Sequence, residues 1–474
     1  MAKYEYDIVC IGLGPAGMAV SVMGSMMGLK VCAVEKHRIG GECMNVGCIP
    51  SKALLQIARY RHAPTRFADF GLSPGASPAP EDPFARIQQH LKFISEKKTL
   101  RMFDQVDLLL GQGAASFVDP HTVAVGGKKI TAKRIFIAAG TSPMILPIPG
   151  IDSVENILTN ENLFELEKVP ESMIILGGGA IACEMAQAFQ RLGCRVSMVQ
   201  RSPHILSRGE PAAAELLEAA LREEGVNLLT GRLVKKVECR DGRVVLHTDQ
   251  GETVEAERLL AGSGRLLDYA QLRLAQAGVG TTEKGGIRVD RFLRTSQKHI
   301  YAVGDCNGYH LYSHAAMHQG MIALINSMLP RPFKRDFRRY AVPYTVFTEP
   351  QISHVGWHEH ELKERRIAYE TVETRYQDYG AAIAEGLGRG YVRAYVGRLG
   401  RIHGVDIVGE GSGEMINEWA LAVQKKIRIH DIMLLQHSFP TMGFMSKRVG
   451  ELWMTGRMKS PWLRKLATWA FRFP

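Results

Sequence analysis

Residues 6–11, Tyr-Asp-Ile-Val-Cys-Ile, form a short apolar run of buried-strand length. Residues 12–17, Gly-Leu-Gly-Pro-Ala-Gly, interrupt it. An apolar helix follows, and a second strand, Lys-Val-Cys-Ala-Val-Glu, closes on Glu35. The same succession returns at 173–201: an apolar strand, a Gly-Gly-Gly-Ala turn, a helix, and the strand Arg-Val-Ser-Met-Val-Gln-Arg. A further apolar strand at 299–305 ends on Asp305. Pro461 opens a last helical pattern. At 100° per residue, Arg464, Lys465, Thr468 and Arg472 share one arc of it. Trp462, Leu463, Leu466, Trp469, Ala470 and Phe471 share the opposite, wider arc.

The repeated unit predicts an α/β fold with two Rossmann-like dinucleotide-binding domains. Gly12, Gly14 and Gly17 permit a tight turn and close approach of backbone to a pyrophosphate at a helix N-terminus. Glu35 stands where a carboxylate accepts from a ribose. Gly177, Gly179 and Ala182 repeat the spacing, and Gly12–Glu35 and Gly177–Gln200 both span 23 positions. Gln200 is therefore the neutral counterpart of Glu35. With Arg201 beside it and Arg208 close behind, the second site suits the extra phosphate of NADPH better than NADH. Two such sites point to FAD in one and a nicotinamide in the other.

Length and composition narrow the setting. A chain of 474 residues, 46% of them hydrophobic, has room for about three domains. Eight cysteines in that length are no disulfide scaffold, so a reducing, cytoplasmic setting is expected. Glu5 and Asp7 stand where a signal peptide needs basic residues. No run approaches the roughly 18 apolar residues of a membrane span. The net charge of +11 favours an anionic partner. Nucleic-acid motifs are absent, so nucleic acid is not expected as that partner, and no metal-ligand set is assigned.

Residues 40–52, Gly-Gly-Glu-Cys-Met-Asn-Val-Gly-Cys-Ile-Pro-Ser-Lys, carry Cys43 and Cys48 at the start of a helical pattern. On an ideal helix their Cα atoms lie roughly 8–9 Å apart, beyond the 4.4–6.8 Å or so that a disulfide accepts. Either the two never meet or the backbone bends. In a chain otherwise poor in disulfide logic, a bent pair suggests a redox device.

That stretch resembles the active-site segment of the class I flavoprotein disulfide reductases, the family of dihydrolipoamide dehydrogenase, glutathione reductase and mercuric reductase. Segments 134–143, 177–184, 299–308, 347–356 and 413–423 are similar to the family as well, and the likeness runs to about residue 445. The resemblance implies a reversible Cys43–Cys48 disulfide on a distorted helix beside the flavin, with Gly47 well placed for the distortion. It implies Cys48 as the thiolate facing the flavin and Cys43 as the thiol that attacks substrate. It makes Lys52 and Glu184 a pair near the flavin, and sets Asp305, Gly41, Gly140 and Gly304 against FAD. It also implies an FAD domain split as 1–150 and 263–342, a nicotinamide domain at 151–262, and an α+β dimerisation domain at 343–445 forming a homodimer. Residues 446–474 are left as a basic amphipathic tail. Electrons would pass from NADPH through FAD and the cysteine pair to a small-molecule or small-protein acceptor.

The sequence leaves the family pattern where protons are handled. The family ends in His-Pro-Thr-x-x-Glu, whose histidine protonates the departing thiol in the partner subunit. Here Phe439 and Phe444 hold the histidine and glutamate positions. A general acid–base group contributes roughly 10²–10⁴-fold, so ordinary disulfide turnover is expected to suffer; His437 is the nearest titratable substitute. No cysteine follows Cys306, whereas mercuric reductase carries a C-terminal pair, so mercury reduction is not the expected activity. Ala180 replaces a bulkier residue at the nicotinamide pocket, Glu42 replaces a threonine beside Cys43, and residues 73–83 form a Pro-rich insertion of unassigned role. Three functions stay open: a disulfide reductase with altered proton delivery, a membrane-associated reductase of a quinone or metal ion, and a flavin-bearing subunit of an electron-transfer complex. The tail fits two settings, the inner face of an anionic membrane or a docking surface on protein.

Overall fold

The computed structural model describes residues 4–73 and 75–473. Its first sheet is built around Tyr6–Ile11, which lies parallel between Val31–Glu35 and Lys128–Ile137. Asp107–Leu110 extends the sheet on one side. Val31–Glu35 is buried at every position, as expected of a strand with both faces covered. Ile300–Ala302 returns from far along the chain to pair with Ile135–Ile137. The segment after the second nucleotide-binding unit therefore rejoins the first.

Four parallel strands form the second sheet, ordered Asn227–Thr230, Arg195–Gln200, Ser172–Leu176, Arg258–Ala261. The third major sheet is antiparallel: Tyr344–Val346, Ile352–Gly356, Ile402–Val408, Tyr391–Val396 and Glu370–Arg375. Helices Ser412–Lys425 and Phe444–Met458 cover it around the buried Trp419. Mixed parallel and antiparallel layers of this kind match the predicted class of two dinucleotide-binding folds and an α+β domain.

The redox segment joins the first two layers. Helix Gly41–Asn45 ends, two residues intervene, and helix Cys48–His62 begins. Leu54 and Ala58 of the longer helix share a core with Ala182, Met185 and Phe189 of helix Ala180–Arg191. That packing fixes the sulfurs relative to both nucleotide-binding turns.

Two other expectations meet the structure here. Pro74 of the Pro-rich insertion lies outside the described residues. The insertion ends as a helix cap: Asp82 accepts from Ala85 N at 3.0 Å, and Pro83 opens helix Pro83–Ile94. The tail helix forms at Pro461–Arg472, yet none of its residues is buried. Trp469 is 60% exposed and Phe471 93%, so the described residues do not cover the helix's apolar arc. No helix among the described residues is long and apolar enough to cross a membrane.

Candidate active site

The two glycine turns reproduce each other in three dimensions. Gly12 has φ +95°, and a Cβ on it would fall 2.4 Å from the Ala138 carbonyl oxygen. Gly177 has φ +114°, and its Cβ would fall 2.4 Å from the Gly262 oxygen. Only glycine satisfies both the positive φ and the close approach. Beyond the first turn lies a cavity of about 620 Å³ lined by Gly12, Gly14, Glu35, Gly41, Cys43, Gly140, Gly304 and Asp305. Its lining includes both Glu35 and Cys43. Glu35 is held in place because its oxygens accept from Leu13 N and His37 N, both at 2.8 Å. Asp305 sits just past Ile300–Ala302, in the turn Gly304–Asn307. Burial, with Glu42 nearby, pushes its carboxyl up to about 6.

Cys43 and Cys48 face each other across the helix break as thiols within hydrogen-bonding reach. Gly47 makes the break possible. Its φ and ψ are −135° and −113°, and a Cβ there would lie 2.8 Å from the Glu42 carbonyl oxygen. The thiols differ sharply. A hydrogen bond from Cys43, opposed by burial and helped by Ser313 and Lys52, holds the Cys48 thiol below its ordinary value. Cys43, donating that bond and buried, is raised. Burial pushes Cys10, Cys32, Cys194 and Cys306 up to about 12. Cys48 is thus the sulfur prepared as a thiolate. In the reduced protein, its alkylation by iodoacetamide should titrate with a midpoint well below that of an ordinary thiol. The rate should be steady above the midpoint and fall about tenfold per pH unit below it. Ser313→Ala should move the midpoint upward; an unmoved midpoint excludes the hydroxyl as a contributor.

Other residues assemble from distant segments. Lys52 Nζ donates to Glu184 Oε2 at 2.8 Å, while Phe347 N donates to Glu184 Oε1 at 3.0 Å. The Lys52 ammonium also lies 4.5 Å from the centre of the Phe347 ring. Ser313 Oγ, at the start of helix Ser313–Met328, is 3.3 Å from Cys48 Sγ. Arg265 pairs with Glu42 and donates to Asn160 Oδ1 and Thr141 Oγ1, both at 3.0 Å. Glu42 is thereby neutralised from the short strand Arg265–Leu266, which pairs with Ser142–Pro143. Sequence reading missed Ser313, Phe347 and Arg265. The dense Tyr-His-Leu-Tyr-Ser-His run at 309–314 was the available signal for the first of these.

At the second turn, Gln200 packs against Gly178. Arg201 and Arg208 are exposed and enter no ion pair among the described residues. At the far end, Phe439 is 72% exposed. Phe444 packs edge-on to it, with ring centres 5.2 Å apart. His437 turns into its own chain: Nε2 lies 2.9 Å from Glu418 Oε1 and Nδ1 3.3 Å from the Leu435 oxygen.

The profile of the pyridine nucleotide-disulphide oxidoreductases matches residues 6–320, and that of their dimerisation domain matches residues 342–448. The chain belongs to this family. Members are FAD-dependent and use pyridine nucleotides, and this chain is a flavoprotein disulfide oxidoreductase of the mercuric reductase and dihydrolipoamide dehydrogenase type. A mercuric reductase of Bacillus cereus is 31% identical over 446 residues, 93% of this chain and 70% of that one. A dihydrolipoyl dehydrogenase of Thermus scotoductus is 32% identical, over 92% of this chain and 95% of the relative. Among solved structures, the Cu(II) complex of the HOCl-induced flavoprotein disulfide reductase RclA from Escherichia coli superposes with a TM-score of 0.85 at 26% identity. The match covers 95% of this chain and 100% of that one. The family's dimerisation domain is present here in the antiparallel third sheet and its helices.

Proposed function

We propose that this oxidoreductase passes electrons from NADPH, through FAD and the Cys43–Cys48 pair, to thiophilic metal ions, Cu(II) foremost. The observation that carries the reading is the pairing of a thiolate-ready Cys48 with phenylalanines, Phe439 and Phe444, at both positions of the family's proton-delivery pair. Reducing an organic disulfide ends with a thiol that must be protonated. Reducing a soft metal ion does not. One NADPH carries two electrons, enough to take two Cu(II) to Cu(I) or one Hg(II) to Hg(0), with release of NADP⁺ and a proton. Relatives named as mercuric reductases and a neighbour solved as a Cu(II) complex support the same acceptor class.

FAD, when bound, supplies the two-electron relay between nicotinamide and sulfur. The chain's own groups are assigned as follows. Gly12, Gly14, Gly17, Gly41, Gly140, Gly304, Glu35 and Asp305 hold the flavin nucleotide. Gly177 and Gly179 admit the nicotinamide pyrophosphate. Lys52, fixed by Glu184, sets a positive charge beside Cys48. Cys43 is the outer sulfur that meets the acceptor. Phe439 projects toward the partner's redox pair in a homodimer, and His437, held by Glu418, supports that segment instead of shuttling protons. Residues 1–150 with 263–342 hold FAD, 151–262 hold NADPH, and 343–445 join the two chains.

An acceptor screen tests this reading. Purified protein given NADPH should reduce Cu(II) or Hg(II) far faster than lipoamide, glutathione disulfide or a quinone. A preference for any of the latter three overturns it. In the same assay, Arg201→Ala with Arg208→Ala should raise KM for NADPH at least about tenfold, the worth of one lost phosphate pairing, and leave KM for NADH unchanged.

The exposed tail favours a second element, peripheral attachment to an anionic membrane. Its uncovered Trp and Phe residues stand opposite Arg464, Lys465 and Arg472, and no acidic residue follows Glu451. Each basic residue adds about 1 kcal/mol at an anionic surface. The full chain should float with phosphatidylglycerol vesicles and not with phosphatidylcholine ones. A truncation before Pro461 that floats equally well removes this element.

A further inference from the structure

A second polar cluster lies away from the redox sulfurs, where the nicotinamide-binding region meets the third sheet. His354 and Asp406 are directly paired residues on the antiparallel strands Ile352–Gly356 and Ile402–Val408. His354 Nδ1 lies 2.7 Å from Asp406 Oδ1. His358, which precedes helix Glu359–Glu364, stacks on His354 with ring centres 3.5 Å apart. Its Nδ1 is 3.3 Å from Glu210 Oε1 and 4.0 Å from Asp406 Oδ1. Glu210 comes from the other side of the boundary, at the start of helix Pro211–Glu223. It is 6% exposed and Asp406 3%.

Two features of this cluster ask for a cation. Neither buried carboxylate pairs with a lysine or arginine among the described residues; each has only an imidazole opposite it, His354 for Asp406 and His358 for Glu210, a thin compensation for a buried charge. Several buried polar atoms here also lack a hydrogen-bond partner among the described residues: Asp406 Oδ2 and the Tyr391 and Tyr395 hydroxyls. Tyr395 faces Asp406 without reaching hydrogen-bonding geometry. Buried polar groups are paired in nearly all folded proteins. A concentration of orphans around two imidazoles and two carboxylates marks a place for a ligand. One donor atom from each of His354, His358 and Asp406 falls within 4.8 Å of the others.

We propose that His354, His358, Asp406 and Glu210 bind a divalent transition-metal ion, tying the nicotinamide-binding region to the interface sheet. Two imidazole nitrogens with two carboxylates suit Zn²⁺, Co²⁺ or Cu²⁺, and are poor for Mg²⁺ or Ca²⁺, which take oxygen. Ligation requires one of the stacked rings to turn, because a metal lies in the plane of each imidazole that binds it. The site is separate from the acceptor reading above, and its ion stays bound through turnover.

The test uses flavin-loaded protein carrying Cys43→Ser and Cys48→Ser, which removes the redox sulfurs as metal ligands. After incubation with Zn²⁺ and dialysis, elemental analysis should find a single zinc equivalent per chain. Zn²⁺ should also raise Tm, as any ligand specific to the folded state does. Both effects should vanish in Asp406→Asn and in His358→Ala. If Asp406→Asn loses its flavin, His358→Ala decides, since His358 is at the cluster's margin. Absence of retained zinc in the Cys-to-Ser protein, or zinc that survives both substitutions, overturns the proposal. Failure of the metal-reductase screen leaves this result untouched, because the reacting sulfurs are already gone.

Discussion

Phe439→His combined with Phe444→Glu should raise NADPH-dependent turnover of glutathione disulfide or lipoamide by roughly 10²–10⁴-fold, the worth of a placed general acid. The physical basis is local. Phe439 is largely exposed, while Phe444 packs against it and on Tyr379 beside the Trp419 core, so the exchange restores an imidazole with a carboxylate neighbour at some cost in packing at 444. Reduction of Cu(II) or Hg(II) should change little, because that reaction releases no thiolate that needs a proton. The informative readout is the ratio of the two activities in one preparation. Each single substitution should give less than the pair, since an imidazole without its orienting carboxylate is free to turn away. If the double variant gains no disulfide turnover while remaining a flavin-loaded dimer, proton delivery is not what separates this chain from the disulfide reductases.

Cys48→Ser should lower acceptor-dependent turnover by about 10³-fold or more, the scale of loss when a reacting group acts as part of a unit. Flavin content and bleaching of the flavin by NADPH should persist, because the cavity and both glycine turns are untouched. Cys43→Ser should lose acceptor turnover to a similar degree. The two variants should differ in the remaining thiol. In Cys43→Ser, Cys48 keeps Lys52 and the Ser313 hydroxyl at 3.3 Å and should alkylate readily near neutral pH. In Cys48→Ser, Cys43 loses the partner that receives its hydrogen bond, and burial still opposes its ionisation, so it should alkylate slowly. Equal alkylation rates would mean that the environment does not discriminate between the sulfurs. Unchanged metal reduction in Cys48→Ser would move the exit of electrons away from the pair.

Much of the site was legible because its signals are local. Gly12 and Gly177 must be glycines for their own turns, and Glu35 and Gln200 fall at equal spacing beyond them. The cysteine segment is a contiguous stretch, and the missing histidine and glutamate show as single residues in a short motif. Helical periodicity likewise gave the tail its boundaries. Such features depend on backbone angles and on neighbours a few residues away.

What the sequence could not decide was which distant groups meet. The break at Gly47, which brings the sulfurs together, depends on Glu42's carbonyl approaching from the preceding helix. The Lys52–Glu184 pair, which the family resemblance implied and no residue pattern could, needs helices Cys48–His62 and Ala180–Arg191 to share a core. Ser313 beside Cys48, and Arg265 neutralising Glu42, join segments more than 200 positions apart. The Glu210–His358–His354–Asp406 cluster arises only because a helix start in one domain is pressed on a sheet in another. These contacts follow from closing long loops and packing whole layers, and neither periodicity nor spacing carries that information. The tail shows the same division from the other side: the sequence made it an amphipathic helix, and only the folded chain left its apolar face uncovered.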